Sequence, residues 1–247
     1  MENLDEKSKA EEAVKLIKSL NNISYINLIS REIEKKIELT DYIILPETRN
    51  HPDLLIAKNK SHENKKWFQA QGLLKQEDSF MLTPELFAEF LRLLKSKREL
   101  FDGFGNLITE QNIKERILEE ILEIRNPWRA EGLDQKYLRG HSKLFVSYHK
   151  FDSSGKLIQV TEQLNKETLM HSRTPGISLD DYVENPTSQG LPKKIIKEGG
   201  LWYWPPIENN VAGFFVCADW AYFNCSTDPN VSDANLGVRK AKIYQKQ

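Results

Sequence analysis

The chain has 247 residues and a mass of 28.7 kDa, the size of one large domain or of a domain with a helical extension. Charged residues make up 29%, but the net charge is −1, with a sequence pI of about 6.6. There is no basic surplus to neutralise phosphates, which argues against a dedicated nucleic-acid binder. No run approaches the roughly 18 apolar residues of a membrane span, so no membrane insertion is expected. The polar start "MENLDEKSKAEEAVK" lacks the apolar core of a signal peptide, so the expectation is a cytoplasmic protein or one exported by a non-Sec route. Cys217 and Cys225 are the only cysteines, too few for a disulfide framework.

Residues 6–39 read as helix, with apolar residues at helical spacing from Ala10 to Leu20 and from Ile23 to Ile37, interrupted by Asn21 and Asn22. They form an expected N-terminal arm (residues 1–40) that packs on its own domain or drives oligomerisation. The remaining residues, 41–247, read as one α+β domain. "DYIILP" predicts a strand ended by Pro46, and residues 47–80 read as irregular. "LTPELFAEFLRLLKSK" predicts a helix capped by Thr83, with Pro84 in its first turn and Leu86, Phe87, Phe90, Leu91 and Leu94 inward. "FDGFGN" is turn chemistry. A second helix is expected over 110–124, with Thr109 as cap and Ile113, Ile117, Ile121 and Ile124 inward.

After "RNPWRAEGLD" the period becomes two. "KLFVSYHKF", the turn "DSSG" and "KLIQVTEQ" predict a hairpin. Residues 165–200 read as mostly loop, "LWYWPP" as an aromatic strand end and "LGVRKAKIY" as one closing strand.

Signals for catalysis are sparse. His51, His62, His141, His149 and His171 lack metal-ligand spacing. No phosphate-cradling glycine loop or nucleophile elbow is present, and "FDGFGN" lacks the third glycine of a dinucleotide fingerprint. Asp180 and Asp181 read as a solvated turn. No catalytic residue, metal or cofactor is expected.

The stretch "AGFFVCADWAYFNCSTDPNVSDANLGVR" (212–239) stands apart. From Asn209 to Arg239 it contains no Lys, Glu, Gln or Met, although these are about a quarter of the chain and roughly eight are expected in such a window. At strand periodicity, Ala212, Phe214, Val216 and Ala218 share one face. After a one-residue slip at Asp219–Trp220, Ala221, Phe223 and Cys225 continue it, so a turn or bulge is expected there. The other set has no pattern of size or polarity: Gly213, Phe215, Cys217, Asp219, Trp220, Tyr222, Asn224, Ser226, Thr227, Asp228, Asn230, Val231, Asp233 and Asn235. Randomising both adenines of an Asn codon gives NNC or NNT. Such codons never encode Lys, Glu, Gln, Met or Trp, and in this set only Trp220 falls outside their reach.

With its closing "LGVRKA", this stretch resembles the variable region of a diversity-generating retroelement variable protein. "YIILPETRNHPDLL", "FMLTPELFAEFLRLLKS", "RNPWRAEGLD", "NPTSQGLPKK" and "WYWPPIENNVAGF" are similar to the archaeal, Nanoarchaeota-type branch of that family, and the likeness spans most of residues 42–247. The resemblance implies a C-type-lectin-like fold, massive sequence variation by adenine-directed retrohoming, and ligand binding rather than catalysis. It also implies that strand 42–45 pairs with the closing strand near 237–244. Glu184-Asn185-Pro186 reverses the lectin calcium motif and no Trp-Asn-Asp follows, which argues against calcium-mediated sugar binding. The fourteen unpatterned residues are then the expected ligand-binding set, and the expected partner is a macromolecule, protein rather than nucleic acid. "LWYWPP" is expected to brace that face from below or to be plain aromatic core. Two alternatives stand: an oxidase-type enzyme on a related fold using Cys217 and Cys225, and an assembly protein built on helices 6–39.

Overall fold

The structure is a computed structural model that describes residues 38–245. The chain runs β1 (Tyr42–Leu45), β2 (Leu54–Ala57), α1 (Trp67–Gln76), β3 (Phe80–Met81), α2 (Pro84–Lys95) and α3 (Ile113–Leu122). It continues with β4 (Arg129–Arg139), β5 (Leu144–Phe151), β6 (Leu157–Gln163), β7 (Arg173–Ile177), α4 (Leu179–Glu184) and β8 (Leu201–Trp204). Last come β9 (Val211–Val216), β10 (Ala221–Thr227), β11 (Leu236–Val238) and β12 (Lys240–Ile243). This is an α+β architecture, mostly sheet. No helix among the described residues is long and apolar enough to cross a membrane.

A four-stranded sheet has the order β1-β2-β12-β3, and an eight-stranded sheet the order β6-β5-β4-β9-β10-β8-β7 with β11 joined to β4. Helix α2 forms as its sequence dictates. The Thr83 hydroxyl accepts from the Leu86 amide at 3.2 Å, and all five expected inward residues are buried. That face packs onto the large sheet, with Phe87 and Phe214 ring centroids 5.2 Å apart. Burying each such phenylalanine stabilises the fold by about 1.5–3 kcal/mol.

Several expectations are corrected. Residues 47–80 are not irregular, for they contain β2, α1 and β3. Helix α1 buries only Trp67, Ala70 and Leu74, too thin a stripe to announce itself, and its start is held by the Gln69 side chain accepting from the Lys66 amide at 3.0 Å. Because β2 exists, β1 does not pair with the closing strand; β2 lies between them, antiparallel to both. Helix α3 starts after Asn112, which is left-handed at φ 69°, so Thr109 is not its cap. It ends at Leu122, where Arg125 donates to the carbonyls of Glu119 and Glu120. Ile124 therefore falls beyond the helix and is half exposed, whereas Ile113, Ile117 and Ile121 are inward. Residues 165–200 include β7 and α4. The expected helical arm lies outside the described residues, except that 38–40 are helical.

The closing segment is two strands in two sheets, divided at Arg239. Arg239 is 1% exposed. Its Nη2 donates to Glu131 at 2.6 Å and to Glu120 at 2.7 Å, and its Nη1 to the carbonyls of Ala57, at 2.9 Å, and Lys58. Arg129 donates to Glu120 at 2.7 and 2.9 Å and to Glu131. Burial raises the Glu131 carboxyl pKa, but the Arg129 and Arg239 guanidiniums outweigh it and bring it down to about 2. One ionic cluster thus ties β4, α3 and the end of β2 to the chain just after β11.

Candidate ligand-binding face

Strands β9 and β10 are an antiparallel hairpin turning at residues 217–220, where the sequence slip predicted a turn. The inward set is buried as expected at Ala212, Phe214, Val216, Phe223 and Cys225, and Ala221 is partly buried. Ala218 is exposed, contrary to expectation, because it sits in the turn rather than in β9.

The opposite face is an ordered grid. One row runs Ala130 (β4), Phe215 (β9), Tyr222 (β10) and Trp202 (β8). The next runs Gly132, Gly213, Asn224 and Trp204. Trp202 and Trp204 therefore stand beside Tyr222 and Asn224 on the same face. They do not brace it from below; the alternate residues Leu201 and Tyr203 are the ones that point into the core.

Rings join these rows into a continuous strip. Trp128 stacks on Phe215 at 6.1 Å, Phe215 on Tyr222 at 5.0 Å, and Tyr222 meets Trp204 edge-on at 5.0 Å. Trp204 contacts Trp202 at 5.9 Å, and Trp202 stacks on Trp220 at 3.9 Å and 9°. Three of the six rings, Trp128, Trp202 and Trp204, lie outside the unpatterned set. Sequence alone hid the place of Trp202 and Trp204 because it comes from the parallel pairing of β8 with β10.

The fourteen candidate residues divide by environment. Gly213 and Phe215 are covered, Phe215 being 8% exposed. Cys217, Trp220, Tyr222, Asn224, Ser226 and Thr227 are half-buried on or beside the hairpin, and Asp219 is exposed in its turn. Asp228, Asn230 and Val231 are exposed in the loop after β10, and Asp233 and Asn235 are half-buried there.

Several of these side chains hold their own backbone. Asn224 Oδ1 accepts from the Ser226 amide at 2.8 Å, Asp228 Oδ1 from the Asn230 amide at 2.9 Å, and Asp233 Oδ1 from the Asn235 amide at 2.8 Å. These are Asx turns. The main chain of the loop is also tied to the segment that leads into α1 and to the first residue of that helix. Trp67 N–H donates to Pro229 O at 3.1 Å and Asn64 N–H to Asp233 O at 2.9 Å, while Lys60 Nζ donates to Asn235 O at 3.1 Å.

The two thiols are free and differently placed. Cys225 is fully buried, and burial pushes its thiol up to about 12 despite the neighbouring Tyr137 and Tyr203 hydroxyls, so it stays protonated at neutral pH. Cys217 N–H donates to Trp220 O, which sets it about 16 Å along the strand from Cys225. No group of three or more His, Cys, Asp or Glu with metal-site geometry occurs among the described residues. Comparison with known proteins adds no relative: no family model, no curated protein and no solved structure matches the chain.

Proposed function

We propose that this protein is the ligand-binding variable protein of a diversity-generating retroelement, with a C-type-lectin-like domain presenting residues 213–235 to a protein ligand. The observation that carries the reading is the correspondence between composition and environment. The regular apolar set of β9 and β10 is the core side. The residues drawn from the restricted codon set lie on the opposite face, in the hairpin turn and in the loop after β10. An evolved framework with a changeable surface requires that division. The aromatic strip supplies contact area at low entropic cost, and the Asn, Asp, Ser and Thr side chains supply adaptable hydrogen bonds, the mixture that antibody paratopes use. Trp220, beyond the reach of NNC and NNT codons, is a framework anchor in this reading, since it stacks on Trp202.

The test is genomic. A near-copy of the segment encoding residues 212–239, with adenines at the codons of the unpatterned set, should lie near the gene together with a reverse transcriptase. A completed neighbourhood with neither would end the proposal.

A further inference from the structure

The strands at the margins of the two sheets are β1, β3, β6 and β7. A margin left open offers its free N–H and C=O groups to another strand, so natural sheets cover or blunt it. β1 is flanked by the Phe101 segment, with Ile44 N–H donating to Phe101 O at 2.9 Å. β3 is two residues long. β7 carries Pro175 and pairs with β8 in a broken register. β6 has none of these protections: seven residues, "LIQVTEQ", paired to β5 without a bulge.

Alternation fixes which of its groups are open. Leu164 N–H donates to Leu144 O at 2.9 Å, so the even-numbered residues of β6 bond β5 and the odd-numbered ones aim N–H and C=O outward. The protein already occupies one end of that edge. The Gln189 side-chain amide lies against it as a neighbouring strand would, with Nε2 donating to Gln163 O at 3.0 Å and Oε1 accepting from Asn165 N–H at 2.8 Å. Leu157, Gln159 and Thr161 have no backbone partner on that side among the described residues.

We propose that this edge pairs with the same edge of a second copy of the chain, antiparallel and two-fold symmetric, with Gln159 opposite Gln159. The open residues are themselves symmetric about Gln159, so this register engages every outward group of Leu157, Gln159 and Thr161, and a shifted one strands some of them. It sets Ile158 opposite Val160 and the exposed Lys156 opposite Glu162, and the symmetry repeats both pairs. Apolar and opposite-charge pairs across strands are stabilising, and no like charges meet. Ile158 and Val160, half-buried at the margin of the single sheet, gain the cover they lack. β5 and β4 stand between β6 and β9, so the candidate face stays open and each assembly carries two of them. Two linked faces bind a repetitive ligand with greater avidity without any new contact.

A single strand pair is a small interface, so weak association is expected. Sedimentation velocity on the full chain between about 1 μM and about 1 mM should show a concentration-dependent dimer. In Thr161→Pro the outward N–H is lost while the ladder to β5 is kept, since proline is tolerated where its nitrogen faces away from the sheet. Symmetry counts that loss twice, so dimerisation should weaken about tenfold or more. Lys156→Glu, at an exposed position, should weaken it by setting Glu against Glu162. The register is read by oxidation in a Cys217→Ser background. Gln159→Cys should give a disulfide-linked dimer, because its two copies are opposite. Gln163→Cys should not, because its copies lie about 27 Å apart along the strands. A parent chain that stays monomeric throughout would overturn the proposal. So would a folded Thr161→Pro that dimerises as tightly as the parent, or linkage at position 163 in place of 159. None of these outcomes depends on the template-repeat search, so the pairing and the variable-protein reading can fail separately.

Discussion

Two neighbouring rows of the large sheet differ by one residue in phase and by almost everything else. The inward row, Glu131–Phe214–Phe223–Tyr203, is 0% exposed at every position. The outward row, Ala130–Phe215–Tyr222–Trp202, grades from 0% at Ala130 and 8% at Phe215 to half-buried at Tyr222 and Trp202. The same backbone hydrogen bonds serve both. Inside, each side chain is constrained on every side, by α2, α4 and the arginine cluster. Outside, each is constrained laterally by the next ring and is progressively released toward β8. The number of directions from which a side chain is contacted, rather than its strand, decides how replaceable it is.

The contrast can be broken most severely at Phe214, where Ala should cost about 3–5 kcal/mol in urea unfolding at neutral pH, because the cavity forms where the surroundings cannot collapse. Replacing Glu131 with Ala leaves the buried Arg129 and Arg239 sharing Glu120 as their one remaining carboxylate in the cluster, and should cost about 3 kcal/mol by the same measurement. Acid should act through the Glu131 carboxyl. Its folded pKa of about 2 lies below the ordinary 4.5, so its stabilisation is complete above the ordinary value and fades as pH falls from there toward 2. In Glu131→Gln that part of the pH dependence should disappear.

An intermediate effect is expected at Gly213. A methyl there would come within 2.7 Å of Phe215 Cε2, so Gly213→Ala should cost about 1–3 kcal/mol. Part of that should return in a Phe215→Ser background. A double-mutant cycle with no coupling would show that the two positions vary independently. Asp219→Ala and Asn230→Ala, both at exposed positions, should change stability by no more than about 0.5 kcal/mol. A large loss at either would erase the distinction between the faces.

Much of this was legible in the sequence, and the reasons are local. Helix α2 has a strong apolar stripe and a threonine cap, the β5–β6 hairpin has clean alternation around "DSSG", and the phase slip at Asp219–Trp220 marks a real turn. What was missed depended on distant partners. The four residues of β2 read as loop because their strand identity comes from pairing with β1 and β12. "LGVRKAKIY" read as one strand because nothing nearby shows that Arg239 will be drawn inward by Glu131, more than a hundred residues earlier. Trp202 and Trp204 are plain in the sequence as part of an aromatic run, but the parallel register with β10 that brings them to the candidate face is a long-range fact. In the face itself, alternation separated core side from outer side. It could not reveal that Gly213 and Phe215 are covered, or that Asn224, Asp228 and Asp233 serve their own turns.

The bonds that fasten the loop after β10 have a practical consequence. The donors at Asn64 and Trp67, the Lys60 ammonium, and the acceptors at Pro229, Asp233 and Asn235 engage only the main chain of that loop. A main-chain carbonyl is present whatever residue bears it. The segment is thus mounted much as a string is on an instrument, by fittings indifferent to the material stretched between them. A foreign peptide of equal length could be grafted there and displayed with both ends fixed.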